Sequence, residues 1–413
     1  MRDCDLYARI LGIKSPWGIS DVVLDHKERC VEICLQYSEQ LAPCPVCGNL
    51  SPKHDTKERT WRHLDTCQFE THLRAKVPRI VCVDDGVLQI SVPWAEPNSR
   101  FTAMFEALAI DWMKEASLSG VARLLRVSWD EADGIRTRAV NRGLERRTEE
   151  LPAALAVDET GFGRGHDYVT VISDRVAGTV SDVADGRKKE VLVEYFRKFT
   201  REELAGIDTI TMDMWEGFIS ATRDEVPDAD EKIAFDRFHV AQHLGHAVDE
   251  VRRAEARVQY GLGDRSMRGS RYSWLMNPEN MDTQRREAFE KLKATCNKTS
   301  RAWAIKDAAT RLWDFNVREE AAEAWAKWYG WAIRSRLEPI KQVARMVKSH
   351  LDGILNAVVT GATNASAESV NSKIQWIKYM ARGFRNRERF REAILFHLGG
   401  LDLYPANARF LPE

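Results

Sequence analysis

The sequence predicts a multidomain α/β protein, and three patterns carry that prediction. Two-residue alternation marks the first hundred residues, short apolar runs alternate with helical segments in the middle, and a tryptophan-rich helical stretch precedes the end. At 413 residues the chain has room for about three domains.

Residues 1–97 read as a small β-rich module. Val31-Glu-Ile-Cys-Leu-Gln-Tyr alternates, while Pro78-Arg-Ile-Val-Cys-Val and Val87-Leu-Gln-Ile-Ser-Val are β-rich runs bounded by Pro and Gly. Beyond Pro93 and Pro97 the spacing of Phe101, Met104, Phe105, Leu108 and Trp112 turns helical, so 98–150 is expected to be helical. Next come Leu155-Ala-Val-Asp, Tyr168-Val-Thr-Val-Ile-Ser and Gly178-Thr-Val-Ser-Asp-Val, then a helix over Lys188 to Phe199. Ile207-Asp-Thr-Ile-Thr-Met-Asp, a helix from Trp215 and Lys232-Ile-Ala-Phe-Asp complete an α/β order. Phe238 to about Leu355 is helical and holds Trp274, Trp303, Trp313, Trp325, Trp328 and Trp331; helices around Ala367 to Tyr379 and Arg387 to Leu398 close the chain. The expected divisions are 1–97, 98–150, 151–258, an all-helical insertion at 259–362, and 363–413.

Composition narrows the function. With 44% hydrophobic and 30% charged residues the chain is neither disordered nor membrane-embedded. The longest charge-free stretch, Gly353 to Ala367, is too short and polar to span a bilayer. Met1-Arg2-Asp3-Cys4-Asp5 has no apolar run behind it, so a cytoplasmic location is expected. Sixty-one Lys+Arg against 62 Asp+Glu give a net charge of -1, so a polyanionic partner has to be met by local patches.

Two segments offer such local chemistry. Cys44-Pro-Val-Cys47-Gly is a knuckle that places two thiolates on one zinc ion, and Cys82 follows beside another turn. His54, His63 or His72 are available as a further ligand. Between Glu115 and Arg147 lies a candidate helix-turn-helix: Ser117-Leu-Ser-Gly-Val-Ala-Arg-Leu-Leu, a break at Arg126-Val-Ser, then a reading helix from Trp129. Arg123, Arg126, Trp129, Arg136 and Arg138 are its candidate DNA contacts; a plain helical hairpin is the alternative. A second basic stretch carries Lys373, Lys378, Arg382 and Arg385 with Trp376, Tyr379 and Phe384 interleaved, which suits phosphate tracking.

The acids at strand ends are the most informative feature. Asp158 closes the first apolar strand of the α/β block, Asp213 closes the fourth, and Glu368 begins a helix in Asn364-Ala-Ser-Ala-Glu-Ser-Val-Asn. Three converging carboxylates suit magnesium or manganese, and two such ions drive in-line displacement at phosphorus. Any one of these acids alone reads rather as a cap of a turn or helix N-terminus. Asp236 and His239 form an Asp-x-x-His phrase after the last strand, where the imidazole either assists a scissile phosphate or caps the next helix.

Ala156-Val-Asp-Glu-Thr-Gly-Phe-Gly, Met212-Asp-Met-Trp, Phe235-Asp-Arg-Phe-His and Thr363-Asn-Ala-Ser-Ala-Glu-Ser-Val-Asn-Ser-Lys, in this order, resemble the bacterial insertion-sequence transposases of the ISL3 family. The resemblance begins at Cys44-Pro-Val-Cys-Gly and covers nearly the whole chain. It implies a DDE catalytic domain of RNase H-like fold interrupted by a helical insertion, behind a zinc ribbon and a helix-turn-helix. The family's acids fall on Asp158, Asp213 and Glu368, with Asp236 and His239 as auxiliaries. Where relatives often carry Cys or His as the last zinc ligand, this chain has Asp85. The implied cofactors are two Mg2+ or Mn2+ ions and one structural Zn2+, with no nucleotide cofactor. The implied partners are double-stranded DNA, at the element's terminal inverted repeats and at the target, and a second copy of the chain in a homodimer or larger synaptic assembly near the nucleoid. A DNA-binding regulator that has lost catalysis and an RNase H-like nuclease are the alternatives.

Overall fold

The computed structural model describes residues 3–148, 150–163, 167–276, 278–362 and 365–406. Arg164, Gly165 and His166, just after the first motif, and Thr363 and Asn364 of the last lie outside the described residues. The chain forms two compact units, one of 3–148 with 380–383 and 400–406, the other of 150–379 with 384–399.

The first unit opens with a helix that alternation did not foretell, α1 (Asp3–Ile10). Six strands follow: β1 (Trp17–Asp25), β2 (Cys30–Tyr37), β3 (Leu41–Pro43), β4 (Leu50–Thr66), β5 (Phe69–Cys82) and β6 (Gly86–Gln89). They form one sheet in the order β1-β2-β5-β4-β3, with β6 also on β5; only β2 and β5 run parallel. Alternation in β2 buries Val31, Ile33 and Leu35, which meet Leu73, Val77, Ile80, Trp61 and Trp94 in the core. β4 carries little apolar alternation and is held by its long pairing with β5 and by cross-strand ion pairs of Arg79 with Asp55 and Arg74 with Glu58.

Three helices complete this unit: α2 (Ala103–Glu115), α3 (Leu118–Leu125) and α4 (Trp129–Arg146). Each begins on a hydroxyl cap, at Thr102, Ser117 and Ser128, and Glu131 completes a capping box with Ser128. Arg126, in the left-handed region at φ 56°, ends α3 and starts the turn into α4.

The second unit runs β7 (Ala154–Gly161), β8 (Tyr168–Asp174), β9 (Val180–Asp185), α5 (Lys189–Phe196), α6 (Arg201–Ala205), β10 (Thr209–Met212), α7 (Glu216–Glu225), α8 (Ala229–Lys232), β11 (Ile233–Phe235) and α9 (Arg237–Gly261). Its sheet order is β11-β10-β7-β8-β9, with β7, β8 and β9 antiparallel and β7, β10 and β11 parallel. Every residue of β10 and β11 is buried, as strands covered on both faces require.

After α9 come α10 (Arg271–Leu275), α11 (Thr283–Thr295), α12 (Asn297–Arg311), α13 (Arg318–Ile333), α14 (Glu338–Ser349) and α15 (Leu351–Thr360), with no strand among the described residues of this stretch. Trp274, Trp303, Trp325 and Trp328 share one core with Leu155, Ile210 and Phe235 of the sheet. α15 is seated on β11: Asn356 Nδ2 donates to the carbonyls of Ile233 and Asp230, both at 2.8 Å. Gly353 comes so close that a Cβ there would lie 2.4 Å from the Phe235 ring. α16 (Ala365–Met380) and α17 (Arg387–Leu398) follow. No helix among the described residues is long and apolar enough to cross a membrane.

Candidate active site and metal centre

Strand register aligns three acids. Ala154 and Ala156 of β7 pair with Thr209 and Thr211 of β10, and Ile210 and Met212 pair with Ile233 and Phe235 of β11. Continued by one step beyond β10, these registers set Asp158, Asp213 and Asp236 in one row at the carboxyl ends of three parallel strands, where open α/β sheets bind ligands. Asp158 does not end its strand as expected. β7 continues to Gly161 because its antiparallel pairing with β8 outlasts its pairing with β10. The carboxylate therefore sits where the neighbouring strand has stopped.

The row is electrostatically strained. Burial pushes the Asp158 carboxyl above its ordinary range; the Glu159 amide and the nearby His239 pull it down, while Asp213 and Asp236 push it up. His239, one turn into α9, sets Nδ1 3.5 Å from Asp213 Oδ1. Burial likewise raises Glu159, against the pull of Arg187.

Helix α16 lies along β7 through three contacts that the sequence reading did not anticipate. Asn371 Nδ2 donates to Asp158 Oδ2 at 2.7 Å, Gln375 Nε2 to Thr160 Oγ1 at 3.1 Å, and Lys378 Nζ to the Gly161 carbonyl at 2.6 Å. Their four- and three-residue steps keep all three on one helix face. Glu368 lies three residues before Asn371, so it occupies the same side one turn earlier, and it is exposed. Lys378, expected on a phosphate, is committed to a backbone carbonyl; Lys373, Arg382 and Arg385 are exposed. Among the described residues the acids are not gathered within 4.8 Å of one another. The donors still suit a hard divalent cation: they are oxygens, they carry like charges, and Asn371 Oδ1 is buried beside Asp158 with no hydrogen-bond partner among the described residues.

A second donor cluster is already at ligand spacing. Asp85 Oδ2 lies 3.2 Å from Cys44 Sγ and 3.4 Å from Cys82 Sγ, Cys47 and Cys82 stand 3.5 Å apart, and all four donors fall within 4.8 Å of one another. These separations match the edges of a tetrahedron around zinc. Gly48 and Gly86, at φ 77° and 76°, turn the chain after each pair of donors. The Asn49 amide favours the Cys47 thiolate, but desolvation and the neighbouring Cys82, Asp85 and Cys44 outweigh it, and the thiol is pushed up to about 12. The histidines are not in the cluster. His63 instead is buried against Thr102 Oγ1 at 2.9 Å, and burial with the Arg62 charge pushes it down to about 4.

The helix-turn-helix places its residues differently from expectation. Arg136 is 7% exposed and pairs with Asp133, and Arg138 binds Glu106 at 2.6 Å, so both are spent inside the unit. Arg126 pairs with Asp65 near the end of β4. Arg123 and Trp129 are exposed. A charge count sees the arginines but not Glu106, which is 1% exposed and also takes Arg142.

The helix-turn-helix domain profile of the ISL3 transposases matches residues 90–140. The zinc-finger profile of the IS204/IS1001/IS1096/IS1165 transposases matches residues 40–84, and the ISL3 transposase profile matches residues 155–394. The transposase for insertion sequence element IS1557 of Mycobacterium tuberculosis is 26% identical over 97% of this chain and 96% of its own length. The transposase for IS1001 of Bordetella parapertussis is 26% identical over 92% and 93%. No solved structure matches.

Proposed function

Because the chain belongs to the ISL3 family of insertion-sequence transposases, we propose that it binds the terminal inverted repeats of its element, cleaves the DNA there and joins the released 3′ ends to target DNA. The observation that carries this reading is the row of acids across three adjacent parallel strands. Three antiparallel strands followed by two parallel ones support an RNase H-like core, and the helical stretch 259–362 is its insertion.

Asp158, Asp213 and Glu368 would hold two magnesium or manganese ions, which when bound activate the attacking oxygen and stabilise the leaving oxygen. Asn371 fixes one oxygen of Asp158, and the Glu159 amide fixes the other at 2.7 Å, so this carboxylate is oriented before substrate arrives. His239 steadies Asp213, and Asp236 adds negative charge behind both. Water is the nucleophile of the first step and a DNA 3′ hydroxyl that of the second, so the enzyme forms no covalent bond to DNA. Cys44, Cys47, Cys82 and Asp85 would hold one structural zinc. The helix-turn-helix presents Arg123 and Trp129 to DNA, and pairing of two element ends calls for a dimer or larger assembly in the cytoplasm, at the nucleoid.

Asp158→Ala, Asp213→Ala and Glu368→Ala should each lower strand cleavage at least about a thousandfold while gel shifts on element ends stay near wild type. Near-normal cleavage in magnesium by any one variant removes that acid from the site.

A further inference from the structure

We propose that Arg187 and Trp215 form a strand clamp beside the acids, in which Arg187 takes a DNA backbone phosphate and Trp215 stacks on an adjoining base. This rests on the reading of the acid row as the cleavage site and adds how the strand is held there.

Arg187 lies between β9 and α5, with its guanidinium 4.7 Å from the centre of the Trp215 ring and 5.1 Å from that of Tyr168. Trp215 Nε1 donates to the Arg187 carbonyl at 3.2 Å, which ties the two segments together. Gly217 makes room, since a Cβ there would lie 2.6 Å from Trp215 Nε1. The clamp neighbours two members of the acid row: Trp215 is two residues after Asp213, and Arg187 Nη1 is 3.6 Å from Glu159 Oε2, next to Asp158 in the chain.

The geometry distinguishes this arginine from those spent in tight structural pairs. Its distance to Glu159 exceeds that of a charge-assisted hydrogen bond, so that pair gives way readily to a phosphate, which accepts two parallel N–H bonds from the planar fork. Packing against two rings fixes the guanidinium in advance. Arg187 and Trp215 are each 40% exposed, so both remain reachable. A row of carboxylates repels a polyanion, and a fixed cation at its border offsets that repulsion where the strand must enter. The indole supplies a stacking face that tolerates any base.

The test uses the full-length protein without divalent metal and a short single-stranded DNA in which 2-aminopurine replaces each base in turn. Wild type and Asp213→Ala should both quench the probe at one position, because stacking does not depend on the cleavage acids. Trp215→Ala should lose the quench and Trp215→Phe should retain most of it. Arg187→Ala should bind several-fold more weakly, with the slope of log affinity against log salt reduced by about 0.7, and Arg187→Lys should recover the slope but not the full affinity. Unchanged quench in folded Trp215→Ala, or an unchanged salt slope in Arg187→Ala, would make the stack a purely structural contact. A cleavage reaction indifferent to Asp213→Ala would instead overturn the reading of the acids and leave the quench intact.

Discussion

The cysteine cluster of the first unit and the acid row of the second differ in readiness. Cys44, Cys47, Cys82 and Asp85 lie within 4.8 Å of one another, whereas the acids, fixed by equally regular strand ends, remain further apart. Charge accounts for the contrast. Cys47 and Cys82 pack at 3.5 Å, and the single carboxylate of the cluster accepts from the cysteine S–H groups, which hold Asp85 below the ordinary carboxylate range. No thiol stands among Asp158, Asp213 and Asp236, and two of the three push up the pKa of the third. Chain layout reinforces this: the cluster is closed by the β4–β5 pairing, while the acids come from four elements, with α16 as the last to arrive. On the proposed reading, the preformed cluster would hold its ion for structure, and the open, repelling row would be completed by cation and substrate.

The largest expected effect lies in the first unit. Cys44→Ser should remove about one zinc per chain, measured by elemental analysis, and unfold the ribbon, since structural zinc contributes on the order of 10 kcal/mol. Asp85→Ala should keep the metal but surrender it to a chelator that wild type resists. Equal resistance would show that the ribbon closes on three thiolates alone.

His63 makes the first unit sensitive to acid. Held neutral down to about 4 in the fold, it takes up a proton more readily when unfolded, so stability is full above about pH 6.5 and falls by about 3 kcal/mol as the pH drops to about 4. Denaturant melts should show this slope, and His63→Asn should flatten it.

The acid row predicts the opposite behaviour. Burial and its neighbours raise the Asp158 carboxyl, so its contribution to stability is greatest at low pH and is lost as the pH rises through its folded pKa. Asp158→Asn, while inactive, should raise the melting temperature of metal-free protein by about 2 to 4 °C, equivalent to about 1 kcal/mol. A lower melting temperature would mean that the carboxylate is stabilised by its partners and that repulsion does not hold the row open.

Sequence and structure agree where local pattern decides the outcome. Apolar runs ending in Asp158 and Asp213 are visible because β10 and the start of β7 are buried on both faces. The hydroxyl caps at Ser117 and Ser128 bracket the turn around Arg126. What escaped depends on distant partners. β4 falls within the β-rich stretch but is too polar to stand out by alternation, and its bounds come from its pairing with β5. Arg136 and Arg138 read as basic surface until Asp133 and Glu106 claim them. Asn371 gains meaning only when α16 lies against Asp158, 213 residues away in the chain.

Ligand exchange at Asp213 distinguishes acids that hold the ions used in cleavage from acids that only shape the fold. Asp213→Cys offers a soft thiolate that magnesium tolerates poorly and manganese accepts better. Wild type should cleave element ends in either metal, Asp213→Cys should be inactive in magnesium and recover measurably in manganese, and Asp213→Ala should be inactive in both. Cleavage by Asp213→Cys in magnesium at the wild-type rate, or cleavage by wild type with all divalent ions chelated, would contradict the role of these acids in holding the ions.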